Sequence, residues 1–175
     1  MSKNLADYII AIPDFPEEGV IFRDVTSILN SAEGFRLAID ELKKLLDGVE
    51  FDAIAGIEAR GFLFGAPLAY IFNKPFVAVR KKGKLPRETI EKTYALEYGT
   101  ATIEIHKTDV TPGQRVVIVD DLIATGGSLK AACELIEEAG AVVAKILVPI
   151  ELKGLNGRET LKGYDVASVV AYEGK

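Results

Sequence analysis

The sequence is short of cysteine, of net positive charge and of long apolar runs, and each shortage excludes a class of protein. Its 175 residues include one cysteine, Cys133, so no disulfide can form within the chain and a reducing cytoplasm is the expected location. Cys133 lies in a helical-looking apolar segment and is interpreted as a buried structural thiol. No stretch is apolar for long enough to span a bilayer, and Tyr8–Ile12 is too short for a secretory signal.

The formal net charge of −5 excludes the overall basic field that draws proteins to nucleic acid. Any anionic ligand must therefore be held by a local group of cations, and we expect neither a nucleic-acid nor a membrane partner. Repeats, linkers and low-complexity tracts are also lacking. With 49% apolar and 27% charged residues, the composition is that of an ordinary soluble globular protein, and the length predicts one domain covering residues 1–175.

The first third of the chain predicts a helix over about Leu5–Ala11 and another over about Ala32–Leu46. Between them, Pro13 and Pro16 lack amide donors, so we expect irregular structure up to about Thr26.

Short apolar, often β-branched runs follow from residue 52 onward, interspersed with helical patterns at Phe62–Phe72 and about Gly127–Ala139. This alternation indicates an α/β fold with a mostly parallel twisted sheet and helices on both faces. The predicted strands are Ala53–Ile57, Phe76–Val79, Val116–Val119, Val142–Ile150 and Val166–Ala171.

The segment between Arg80 and Gln114 has no clear crossover helix. Thr93–Glu97 and Thr100–His106 alternate weakly around a turn, which predicts a hairpin flap within residues 80–107. A long excursion of this kind in a compact domain is usually a functional lid or a disordered segment.

Reactive side chains follow four of the predicted strands at their carboxyl ends. In an open parallel sheet these ends lie on one edge, where ligands bind, so four segments should converge on one crevice. The segments are Glu58–Gly61, Arg80–Lys84, Asp120–Ser128 and Glu151-Leu152.

The most informative motif is Val116–Ser128, a strand that delivers two carboxylates followed by a small-residue loop that opens a helix. Backbone N–H groups of the loop and the helix N-terminus suit a phosphate monoester, while Asp120 and Asp121 suit ribose hydroxyls. The alternative is that the aspartates only end a strand and Ser128 only caps a helix. The motif has no Walker-type Gly-Lys-Ser/Thr. The phosphate-binding loop consists of Ala124, Thr125, Gly126, Gly127 and Ser128.

A basic arm follows the second predicted strand. Residues 80–92 carry six basic and two acidic side chains, a local balance of +4 in an acidic chain. The arm is either a solvated loop or, beside a phosphate-binding loop, a site for a second and highly charged anion such as diphosphate. Arg60, in a tight Arg-Gly turn, is a further candidate for that anion.

These motifs resemble those of the type I phosphoribosyltransferases, and further segments narrow the resemblance to the adenine phosphoribosyltransferase family. It covers about Asp7–Tyr172, nearly the whole chain. Ser128 stands where many relatives have threonine, which keeps the hydroxyl. The additional segments are Ile12–Pro16, Gly19–Asp24, Ala59–Gly65, Arg80–Pro86 and Leu96–Gly99.

The resemblance implies a role for each candidate residue. Residues Ala124 to Ser128 would hold a 5-phosphate, and Asp120 and Asp121 would hold ribose hydroxyls. Glu97 would be a catalytic flap carboxylate near the base, and Arg60 would act in catalysis as well as in diphosphate binding. His106 has a diphosphate contact or an ordinary exposed position as its alternatives. The other diphosphate ligands would be Arg80 and Lys84. Adenine would be bound by a hood within residues 1–30, through Val20, Ile21, Phe22 and Arg23, and by Leu152 on the other side of the ring.

The implied reaction transfers the 5-phosphoribosyl group of 5-phosphoribosyl-1-diphosphate to adenine and gives AMP and diphosphate. Mg²⁺ bound mainly through the substrate would assist, since it usually binds substrate phosphates and keeps several waters. Family members are usually homodimers.

Other functions stay open on sequence grounds. A relative acting on hypoxanthine, guanine or xanthine would share the fold, although no lysine directly follows Val142–Ile150, where such relatives tend to have one. A non-enzymatic nucleotide-sensing regulator should carry an added module or a basic face, for which the chain has little room. A receiver-like phosphoacceptor would not need the small-residue loop after Asp121.

Overall fold

The computed structural model describes residues 2–174, and its elements alternate as the sequence predicts. Five helices occur: α1 (Thr26–Leu29), α2 (Ala32–Lys44), α3 (Arg60–Phe72), α4 (Gly127–Glu138) and α5 (Gly157–Thr160). Short 3-10 helices lie at Leu5–Tyr8 and Lys153–Leu155. The strands are β1 (Ile10–Pro13), β2 (Ile21–Asp24), β3 (Ala53–Ile57), β4 (Phe76–Lys81), β5 (Thr89–Ala95), β6 (Thr100–His106), β7 (Arg115–Val119), β8 (Leu122–Ile123), β9 (Val142–Leu152) and β10 (Val166–Tyr172).

The central sheet has the order β10-β9-β7-β3-β4-β6-β5, with the two-residue β8 paired to β9. Neighbours from β10 to β4 are parallel, and β6 and β5 continue the sheet in antiparallel fashion. The mostly parallel α/β sheet is therefore confirmed, and the carboxyl ends of β3, β4, β7 and β9 lie along one rim.

The central strands β3 and β7 are buried on both faces of the sheet: neighbouring residues point to opposite sides, and both sets are covered. Val116 and Ile118 of β7 belong to a core with α4, whereas Val117 and Val119 belong to a second core with α2 and α3. Burial on both faces explains the nearly continuous apolar runs of the parallel strands. Among residues 2–174, no helix combines the length and apolar content needed to cross a membrane.

The N-terminal prediction was wrong in two respects. The expected helix over Leu5–Ala11 is one 3-10 turn, because the β-branched residues from Ile9 onward favour extended backbone. The stretch expected to be irregular contains β1 and β2, which pair antiparallel with Ile10 opposite Asp24 and Pro13 opposite Ile21. Pro13 is tolerated because it ends its strand.

The flap hairpin is formed by β5 and β6, as predicted, but β5 starts and ends earlier than the alternation indicated. Glu97 consequently lies in the exposed turn at the hairpin tip rather than in a strand. The body of the hairpin packs on α4, where Lys92 Nζ lies 2.9 Å from Glu138 Oε1. The tip thus extends from a hairpin whose base belongs to the sheet.

Candidate active site

The predicted phosphate-binding loop (residues 124–128) connects β8 to the first turn of α4. Gly126 has φ +85°, and a Cβ atom there would lie 2.9 Å from the carbonyl oxygen of Gly157, so glycine is required on both grounds. No side chain among the described residues caps the N-terminus of α4. The first backbone N–H groups of α4 are therefore available to an anion.

Helix α5 forms a wall behind the phosphate-binding loop. A Cβ atom at Gly157 would lie 2.6 Å from the carbonyl oxygen of Ala124, which shows how closely the two backbones approach. Arg158 holds this helix with two hydrogen bonds to the buried carboxylate of Glu151, from Nε (2.7 Å) and from Nη2 (2.8 Å). The pair keeps the pKa of Glu151 below its usual value, chiefly through the hydrogen bonds from Arg158. Helix α5, held by this ion pair, thus packs directly against the backbone of the loop.

One cavity of about 480 Å³ opens at the rim formed by the strand ends. The phosphate-binding loop lines one part of it, the two aspartates lie beside the loop, and cationic side chains line another part. Eight of the predicted site residues meet here: Arg60, Asp120, Asp121, Ala124, Thr125, Gly126, Gly127 and Ser128. The cavity is also lined by three polar side chains that were not singled out as site residues: Glu58 and Lys81, which lie in the predicted strand-end segments, and Tyr94, to which the sequence gave no role.

Asp120 and Asp121 are buried at the end of β7 and differ in their partners. Asp121 Oδ2 lies 2.6 Å from Arg60 Nε, so a cation that is half exposed balances its charge. Asp120 Oδ1 accepts a hydrogen bond from the backbone N–H of Asp121 (2.8 Å). Burial, and then the charge of Asp121, raise the pKa of Asp120 well above its ordinary value. A buried carboxylate is costly to ionise without hydrogen-bond donors, so a ligand hydroxyl that donates to Asp120 would stabilise its charged form.

The approach of α3 to this carboxylate depends on a glycine. A Cβ atom at Gly61 would lie 2.9 Å from the carbonyl oxygen of Val119 and 3.1 Å from Asp120 Oδ1. Because Gly61 has no side chain, the first turn of α3 can lie against the end of β7. Arg60 is thereby brought to the cavity.

The basic arm begins where β4 ends. Glu58 Oε1 accepts hydrogen bonds from the backbone N–H of Lys81 (2.8 Å) and from Arg80 Nε (3.2 Å), and Arg80 Nη1 donates to the carbonyl oxygen of Lys84 (3.3 Å). Lys81 lines the cavity, whereas Arg80 and Lys84 lie outside its lining and Lys84 is exposed. The arm is therefore a folded turn next to the cavity.

His106 is buried, so the alternative of an ordinary exposed histidine is wrong. It is the last residue of β6. Its Nε2 atom lies 3.3 Å from the backbone nitrogen of Arg87, and its Nδ1 atom lies 2.7 Å from Arg87 Nη2 and 3.1 Å from Asp109 Oδ2. It does not line the cavity.

The flap contributes Tyr94 rather than Glu97 to the cavity in this structure. Burial, and then the charge of Asp120, raise the pKa of the Tyr94 hydroxyl. The inward orientation of Tyr94 follows from strand alternation, since Lys92 and Tyr94 are more buried than Glu91, Thr93 and Ala95. That alternation was the available signal for Tyr94. Lys81 was part of the recognised basic run but had no feature to distinguish it from its neighbours.

The predicted adenine-binding residues lie outside the cavity lining, on the hood and at the end of β9. Phe22 of β2 makes an edge-to-face contact with Phe15, with ring centroids 5.3 Å apart. The guanidinium of Arg23 lies 3.9 Å from the ring centroid of Tyr172, while its Nε is buried without a hydrogen-bond partner. Ile21 begins β2 and Val20 directly precedes it, and Leu152 ends β9 against the apolar core.

Comparison with known proteins defines the class. Residues 24–170 match the phosphoribosyl transferase domain, so this is a protein of that class. The curated adenine phosphoribosyltransferase of Butyrivibrio fibrisolvens is 70% identical over 173 residues, which cover 99% of this chain and 96% of the relative. The chain belongs to the adenine phosphoribosyltransferase family.

Solved structures agree with this assignment. The adenine phosphoribosyltransferase of Thermoanaerobacter pseudethanolicus has a TM-score of 0.92 at 52% identity, with 96% of this chain and 98% of that chain covered. The Trypanosoma brucei enzyme, solved in complex with AMP, pyrophosphate and ribose-5-phosphate, has a TM-score of 0.85 at 25% identity, with 95% and 77% covered. The predicted fold class, enzyme class and adenine-directed activity are confirmed by these relatives.

The buried carboxylate pair predicts that the free energy of unfolding depends on pH and on the charge of Asp120. Asp120→Asn removes a buried charge and keeps an acceptor for the N–H of Asp121. Because folding raises the pKa of Asp120, its negative charge destabilises the fold at high pH, and this cost disappears as the pH falls toward the unfolded-state pKa of about 4. In urea unfolding at pH 8, we expect the free energy of unfolding of Asp120→Asn to be higher than that of the wild type by on the order of 1 kcal/mol or more.

The matched control is Asp47→Asn, which alters an exposed carboxylate and should follow the wild type at both pH values. The advantage of Asp120→Asn should shrink as the pH is lowered toward 4.5. A variant less stable than the wild type at pH 8 would contradict the assigned origin of the pKa shift.

Proposed function

We propose that this chain joins adenine to 5-phosphoribosyl-1-diphosphate in purine salvage by gripping the donor at both ends. The supporting observation is one cavity that contains an uncapped helix N-terminus with its small-residue loop, a carboxylate pair, and the cations Arg60 and Lys81. A donor with a phosphate at one end, vicinal hydroxyls in the middle and a diphosphate at the other matches that order of groups.

The 5-phosphate is assigned to the backbone N–H groups of residues 124–128, with hydroxyl donors from Thr125 and Ser128. The ribose hydroxyls are assigned to Asp120 and Asp121. A hydroxyl donated to Asp120 would supply a hydrogen-bond partner to a buried carboxylate that is costly to ionise. As the bond to diphosphate breaks, positive charge develops on the ribose, and carboxylates that bind its hydroxyls would stabilise that charge.

The diphosphate is assigned to Arg60 and Lys81, with Arg80 and Lys84 on the adjoining turn. Negative charge grows on this group as it departs, so cations fixed in advance favour the transition state over the bound substrate. Since His106 contacts Arg87 beneath the flap, we assign it to shaping the arm rather than to holding the anion.

Mg²⁺ is the proposed cofactor. Carboxylate and phosphate oxygens are the ligands it prefers, and Asp120 and Asp121 line the same cavity as the cations. We infer that the metal would be held mainly through the oxygens of the donor, since Mg²⁺ usually binds substrate phosphates and keeps several waters. When bound, Mg²⁺ supplies charge neutralisation to the departing diphosphate.

Adenine is assigned to the hood, where Val20, Ile21 and Arg23 offer backbone groups and Phe22 offers an aromatic face, with Leu152 on the opposite side. An exocyclic amine and ring nitrogens can pair with backbone C=O and N–H groups. A 6-oxopurine would place an acceptor where a donor is required and leave buried groups unpaired. Closure of the flap tip would bring Glu97 to the base and exclude water from the activated ribose.

An AMP-forming assay with adenine, the donor and Mg²⁺ tests the proposal, and adenine is compared with hypoxanthine, guanine and xanthine. We expect product with adenine at a kcat/KM at least about 10²-fold above that of any 6-oxopurine, because unpaired buried groups penalise the wrong base. Equal or faster use of a 6-oxopurine would support the alternative transferase. No transfer to any base would support a non-enzymatic regulator.

Substitution of Glu97 tests its role at the flap tip. Glu97→Ala should lower kcat by roughly 10²-fold or more while leaving activity above background, because positioned acid or base groups contribute about 10²–10⁴-fold. Glu91→Ala is the control, since Glu91 lies on the same hairpin and its carboxylate pairs with Lys82 at the surface. A wild-type kcat for Glu97→Ala would remove this residue from the catalytic group.

A homodimer is proposed from the exposed apolar side of α3. Leu63, Tyr70 and Ile71 are 44%, 88% and 43% exposed, although they belong to one helix of a buried core. Sedimentation should show a dimer that Tyr70→Asp shifts toward monomer. Tyr98→Asp, at an equally exposed aromatic on the flap, should leave the dimer intact, and a monomeric wild type would contradict the proposal. A cytoplasmic location is proposed because one cysteine allows no disulfide within the chain, as is usual for proteins of a reducing compartment; fractionation of cells tests it.

A further inference from the structure

Glu104 is a buried carboxylate to which the proposed chemistry gives no role. It lies on β6, only 3% exposed, with Arg80 of β4 as its neighbour across the sheet. It does not line the cavity. A buried carboxylate is costly unless hydrogen bonds satisfy it, so its partners indicate what it does.

The partners of Glu104 are backbone groups of the basic arm. Its Oε1 atom accepts hydrogen bonds from the N–H groups of Gly83 (3.1 Å) and Leu85 (3.1 Å), and its Oε2 atom lies 3.4 Å from Thr89 Oγ1. Gly83 has φ +88°, a conformation that suits glycine. The turn thus wraps its amides around the carboxylate, as backbone nests do around anions.

The turn needs such an anchor because of its charge. Arg80, Lys81, Lys82 and Lys84 fall within five residues, and their like charges repel one another. Glu58 fixes the start of the turn from the cavity side, through the N–H of Lys81. Glu104 fixes its middle and end from the core side.

We propose that Glu104 is a positioning residue that holds residues 82–85 in the conformation that presents Lys84, next to Lys81, to diphosphate. This inference rests on the proposed diphosphate site. Glu104 acts through the reach of one oxygen atom to two N–H groups, and it touches no substrate. Its loss would lower the fraction of arms that are ready to bind, and apparent affinity falls in proportion to that fraction.

Two substitutions of Glu104 distinguish the effect of its side-chain length from the effect of its negative charge. Glu104→Asp keeps the charge but withdraws the carboxylate by one methylene, so it cannot reach both N–H groups. Glu104→Gln is nearly isosteric, keeps one oxygen for both N–H groups, and places its NH₂ group near the Thr89 hydroxyl. Glu104→Gln is therefore the matched control.

Titration with magnesium diphosphate and, separately, with AMP gives the readout, alongside steady-state KM for the donor and kcat. For Glu104→Asp we expect diphosphate Kd and donor KM to rise about tenfold, because loss of a backbone hydrogen bond to the turn lowers the fraction of arms in the binding conformation, with AMP Kd and kcat changed little. For Glu104→Gln we expect all four values within about threefold of wild type.

The inference would be overturned by wild-type diphosphate affinity in Glu104→Asp, by the reverse order of the two variants, or by equal losses of AMP and diphosphate affinity. Lys84→Ala, measured in parallel, separates this inference from the proposed function. If Lys84→Ala weakens diphosphate binding and Glu104→Asp does not, only the role of Glu104 fails. If neither changes it, the assignment of diphosphate to the arm fails as well.

Discussion

The arrangement of this site depends on the carboxyl ends of parallel strands meeting at one rim. β3 brings Glu58 and Arg60, β4 brings the basic arm, and β7 brings Asp120 and Asp121 with the loop behind them. No one of these segments could bind a ligand with charge at both ends and hydroxyls between them. Parallel pairing of the strands places the three chemistries in one cavity.

Burial of two neighbouring carboxylates at the rim destabilises their charged forms. Two adjacent carboxylates are buried beside a helix N-terminus, and only Asp121 has a cation at hydrogen-bond distance. Glycine at position 61 lets the positive end of α3 approach, and Arg60 comes with it. The carboxylates of Glu58 and Glu104 accept hydrogen bonds from backbone N–H groups of the basic arm, so acidic side chains organise the segment proposed to hold diphosphate.

The central α/β layers and the small-residue turn before α4 could be predicted from the sequence because local chemistry determines them. Runs buried on both faces, and small residues at a strand-to-helix turn, leave few alternatives. The hood strands could not, because their pairing depends on contacts across the turn between Pro13 and Ile21. Three features depend on tertiary packing of the flap against α4 and the core and could not be predicted either. They are the positions of Tyr94 and Lys81 at the cavity and the burial of His106.

The central claim is that separate groups on one rim grip the two ends of the donor. A crystal structure with AMP, diphosphate and Mg²⁺ bound together tests it most directly. The account predicts the AMP phosphate on the N–H groups of residues 124–128, and the diphosphate against Arg60 and Lys81 in the same cavity. A phosphate held elsewhere, or a diphosphate remote from both cations, would contradict it.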